Sequence, residues 1–107
     1  MSNQRFSFLR VLSSPKTSNP DVWVATCLET GYVAAGHTYE EARDQMLEIL
    51  RGEVMFARKN NNIGGLFRPI PQELIDRWEA AIRDNPPEEL SLFPDQDGTE
   101  VEMARAA

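Results

Sequence analysis

A chain of 107 residues with 41% apolar content can bury one hydrophobic core without disulfide or metal staples, and a net charge of −6 sets it against phosphate-bearing partners. Cys27 is the one cysteine and His37 the one histidine, so neither an intramolecular disulfide nor a His/Cys metal cage can be assembled. The four residues before the first apolar run are too few for a signal peptide, and no apolar run is long enough to span a bilayer; a reducing cytoplasm is the expected setting.

The charge is unevenly spread. Residues 1–60 carry seven basic and seven acidic side chains, whereas 61–107 carry four and ten, and Asp84 to Glu102 contains seven acids and no base. This predicts a neutral folded body over 1–85 and an acidic, mostly disordered tail over 86–107, whose one apolar cluster, Leu90-Ser91-Leu92-Phe93, could dock on the body. Without clustered Lys/Arg, no direct nucleic-acid binding is expected.

In chain order, Arg5 to Leu12 alternates with period two and reads as a first strand. Ser13 to Pro20 holds only breakers and short polar residues and reads as a mobile loop. Val22 to Leu28 reads as a second strand, Glu29-Thr30-Gly31 as a hairpin turn with Gly31 at positive φ, and Tyr32 to Ala35 as a third strand.

Thr38-Tyr39-Glu40-Glu41 is a capping box, and Ala42, Met46, Ile49, Leu50 and Ala57 follow at helical spacing, so a helix is predicted to about Lys59. Leu47 and Val54 widen its apolar arc into a second stripe, which asks for a partner. Leu66 to Ile70 reads as a short edge strand, because Pro69 donates no ladder hydrogen bond. Pro71 suits the first turn of a second helix over 71–84, with Leu74, Ile75, Trp78, Ala81 and Ile82 on one face. The expected fold is α+β in two layers: an antiparallel meander of three strands plus one short edge strand, packed by one long helix, with a second C-terminal helix.

Three segments are more particular than this order of elements. Trp23-Val24-Ala25-Thr26-Cys27-Leu28-Glu29, Gly36-His37-Thr38-Tyr39-Glu40-Glu41-Ala42 and Arg68-Pro69-Ile70-Pro71 resemble the N-terminal domain of HicB-type antitoxins and their stand-alone relatives, over about residues 5–72. The resemblance implies a cut-down RNase H fold and a role in covering a partner protein such as a small basic HicA-like toxin. His37 stands where the family often has Asp. Nothing after residue 72 resembles the family's DNA-binding module, so operator binding is not implied.

Catalytic chemistry finds little support. RNase H catalysis needs carboxylates converging on metal ions, starting in the first strand, and Arg5 to Leu12 has none. Asp21 and Glu29 sit at opposite ends of the second strand. Cys27 reads as a small core residue and His37 as a solvated linker rather than as a nucleophile and base. Gly64-Gly65 lacks the strand, helix and Lys of a phosphate loop. No catalytic residue, cofactor or metal is expected.

The expected function is that of a non-catalytic protein-interaction domain or orphan regulator. The alternative is a small-molecule sensor using the cleft between the sheet and the second helix. The stripe Leu74, Ile75, Trp78 and Ile82 is the candidate interface, buried by docking on a second copy in a two-fold homodimer, with folding back onto its own sheet as the alternative.

Overall fold

The computed structural model describes residues 9–94 and 99–106. The strands are β1 (Leu9–Lys16), β2 (Asn19–Cys27), β3 (Val33–Gly36), β4 (Glu88–Ser91) and β5 (Glu100–Arg105), and the helices are α1 (Tyr39–Lys59) and α2 (Gln72–Asp84). They form an α+β fold around one mixed sheet of order β3-β2-β1-β5-β4. The β1–β5 pair is parallel and the other pairs are antiparallel.

The meander is present with shifted bounds. Residues 5–8 of the expected first strand lie outside the described residues, and β1 runs on through Ser13 to Lys16. The expected loop over 13–20 is therefore mostly strand, turning only at Thr17 and Ser18. Pro15 is tolerated because β5 ends at Arg105, level with Ser13, which leaves the end of β1 paired on one side only. The second turn is as expected, with Gly31 at φ 80 and its N–H donating to the Cys27 carbonyl at 2.9 Å.

Both ends of α1 are satisfied locally. The Thr38 hydroxyl accepts the Glu41 N–H at 3.0 Å, while Glu41 Oε1 reaches one residue beyond the cap and accepts the His37 N–H at 2.8 Å. At the other end Asn61 adopts φ 55, and the Asn62 and Asn61 N–H groups return to the Ala57 and Arg58 carbonyls.

Two expectations are corrected. Leu66 to Ile70 is no strand: Ile63–Leu66 forms a 3₁₀ turn, and the place beside β1 is taken by β5. Nor is 86–107 a mostly disordered tail. Its Val101 and Met103 are buried, and β5 lies between β1 and β4 with a neighbour on each side. Leu92 and Phe93, at the end of β4, join the core under α1, where Arg51 Nε donates to the Leu92 carbonyl at 3.0 Å and the Arg58 guanidinium lies 5.0 Å from the Phe93 ring.

That docking also accounts for the wide apolar arc of α1. Leu47 and Val54 belong to the same core as Met46 and Leu50, so the second stripe is covered by the chain itself. The opposite face of the sheet is covered by α2, which adds a third layer. Trp78 packs with Leu12, Leu28 and Ala104, and Leu74, Ala81 and Ile82 pack around them.

Candidate groove at the end of the sheet

The stripe expected to form a dimer interface is spent on this second core. Trp78 is 3% exposed, Leu74 and Ile82 pack beside it, and Ile75 is half-buried at the margin. Arg10, on the same sheet face, closes the layer by placing its guanidinium 6.0 Å from the Trp78 ring centroid while pairing with Glu29 at 2.7 Å. The reason given for a second copy is thereby removed, since the short Phe67–Pro71 connection lets α2 fold back onto its own sheet.

The residues weighed for chemistry are not brought together. Cys27 and His37 lie at opposite ends of the β2–β3 ladder, about 15 Å apart at roughly 3.3 Å per residue, because Trp23 pairs with Gly36 and Thr26 with Val33. Cys27 is buried, and burial is the chief cause that pushes its thiol above the ordinary value, so it stays protonated. Asp21 and Glu29 also lie at opposite ends of β2. Among the described residues no group of three or more His, Cys, Asp or Glu side chains could hold a metal ion.

A groove of about 930 Å³ opens where β1 and β5 end. Side chains from several elements besides α2 meet there. Trp23 of β2 and Tyr39 of α1 stand edge to face with centroids 5.7 Å apart. The Arg105 guanidinium, from the last residue of β5, lies 5.0 Å from the Trp23 centroid and 4.5 Å from that of Tyr39. From α2 come Arg77, Ala80, Ala81 and Asp84, and the stretch after it adds Pro86 and Glu88. Arg77 is steadied by its bond to the Ser14 hydroxyl at 3.2 Å. Burial raises the Tyr39 phenol above its ordinary value, and the nearby Glu88 carboxylate adds to that, so the ring presents a neutral O–H at physiological pH.

Sequence reasoning placed Trp23 as part of the second strand and did not find Arg105 at all. The signal was present in the alternation of Glu100-Val101-Glu102-Met103, which marks a strand ending at Arg105, but acidic composition argued the other way. Among the described residues no helix is long and apolar enough to cross a membrane. No family model, curated protein or solved structure matches the chain.

Proposed function

We propose that this chain is a non-catalytic interaction domain, of the kind its resemblance to HicB-type antitoxin domains implies, and that it engages a partner protein through the groove at the end of the sheet. The observation that carries the reading is the meeting of Trp23, Tyr39, Arg77 and Arg105 around one concavity. Trp, Tyr and Arg are the side chains that dominate binding energy at protein interfaces, because they bring large area and directed polar groups at low entropic cost. The meander and the capped helix fit the resemblance; the Arg68–Ile70 stretch, which is not a strand, departs from it.

The test compares wild type with Ala80→Trp, which fills the groove from an exposed position on α2. A protein that binds the wild type, rebinds it in purified form and fails to bind the folded variant would support the reading. A partner bound equally by both would overturn it. A second reading, a small-molecule sensor, is favoured by the size of the groove, which falls within the range of ligand sites. Its expected outcome is a melting temperature raised by a metabolite fraction in the wild type and not in Ala80→Trp.

A further inference from the structure

We propose that the groove recognises a monocarboxylate with an apolar body, and that Arg105 is the residue that binds the carboxylate. This rests on the groove being the binding site. The guanidinium of Arg105 makes no hydrogen bond or ion pair among the described residues; its contacts there are with the Trp23 and Tyr39 rings, whose centroids lie 5.0 and 4.5 Å from its central carbon. A guanidinium in contact with aromatic rings does not spend its N–H groups on them as it would on a carboxylate, and the fork of those N–H groups matches the two oxygens of a carboxylate. Contact with two rings also restricts the side chain before the ligand arrives, which lowers the entropic cost of binding.

The surroundings narrow the ligand further. Arg77 supplies a second positive charge from α2, but Asp84 and Glu88 line the same groove, and the chain as a whole carries −6. The two arginines are balanced by the two carboxylates, so a dianion such as a phosphate monoester would meet no surplus of positive charge in the groove and the overall −6 at twice the charge, and a single carboxylate is favoured. Apart from Asn85, the rest of the lining is apolar, with Pro15, Ala80, Ala81, Pro86 and Met103 among it, which suits an aromatic or aliphatic body. Ser13 lies in register with Arg105 and is fully buried, and its Oγ has no hydrogen-bond partner among the described residues.

The carboxylate could come from a free organic acid or from the C-terminus of a peptide. Four probes separate these sources: phenylacetate and phenylacetamide, and N-acetyl-Ala-Ala-Phe with its C-terminus free or amidated. Binding is followed by the NMR shifts of the Trp23 indole N–H and the Arg105 Nε–H. Each acid is expected to bind about tenfold or more tightly than its amide, since a bond to a charged group is being lost. Arg105→Gln should abolish that preference, and Arg105→Lys, which keeps the charge but not the fork, should retain part of it. Equal binding of acid and amide, with both lost in Ala80→Trp, would overturn the carboxylate while leaving the groove as a ligand site. A preference that survives in folded Arg105→Gln would overturn the role of Arg105. If none of the four probes shifts either signal the carboxylate proposal fails, and the partner comparison with Ala80→Trp decides the groove separately.

Discussion

Thr38 and Gly36 show how much of the β3–α1 junction rests on single residues. The Thr38 hydroxyl satisfies one of the N–H groups that a helix start leaves without a partner, so Thr38→Ala is expected to lower stability by about 1 kcal/mol in denaturant unfolding. Gly36 is demanded by close approach and not by its φ. A Cβ there would lie 2.5 Å from Glu41 Cβ and 2.7 Å from the Ala42 nitrogen, and the backbone atom cannot swing aside as a long side chain would. Gly36→Ala is accordingly expected to cost about 1–3 kcal/mol, as overpacking does, with the loss read from the same unfolding curves. An unchanged midpoint would show that the helix start can move away from the strand. The cap was legible in the sequence because it involves neighbours three residues apart. The crowding at Gly36 was not, because it depends on the angle at which α1 leaves the sheet.

Among the elements, α2 and the β4–β5 pair carry the departures from expectation. The apolar stripe of α2 was plain from its spacing, but spacing says only that a face must be buried and not against what. With Trp78 buried among Leu12, Leu28 and Ala104, Trp78→Ala is expected to cost about 3–5 kcal/mol, a loss of stability with no change of oligomeric state. Sedimentation beside thermal unfolding checks both parts. In the β4–β5 pair Glu89 stands directly opposite Glu102, a like-charge arrangement that weakens a ladder. Glu102 is held above its ordinary value of 4.5, first by burial and then by Glu89. The folded state therefore takes up its proton more readily than the unfolded state. This favours folding below about that ordinary value and is lost as pH rises through the folded value. Glu102→Gln should accordingly raise the melting temperature at pH 7, with the gain shrinking toward pH 4. A gain of equal size at both pH values would assign the effect to something other than ionisation.

For the whole molecule the decisive feature is that the last described strand is interior to the sheet. β5 links β1 to β4, and its Val101 and Met103 complete the core beneath α1. Removing residues 88–107 would strip one side of β1, expose that core and take away Leu92 and Phe93. The truncated chain is expected to lose its cooperative unfolding transition, seen by circular dichroism and calorimetry; retention of a sharp transition would show that β1–β2–β3 and α1 are sufficient. Features that depend on near neighbours were legible in the order of residues: the β1–β2–β3 meander, the Gly31 turn, both ends of α1 and the extent of α2. That the acidic segment is strand follows from long-range packing instead. The pairing of Leu9 with Val101 joins residues far apart in the chain, and its stabilisation comes from burial between α1 and α2. Charge density along a segment measures how it would behave alone in water, whereas two covered faces and a neighbour on each side are properties of the assembled sheet. The same holds for the groove: Trp23, Tyr39, Arg77 and Arg105 lie on four different elements, and no spacing in the sequence connects them.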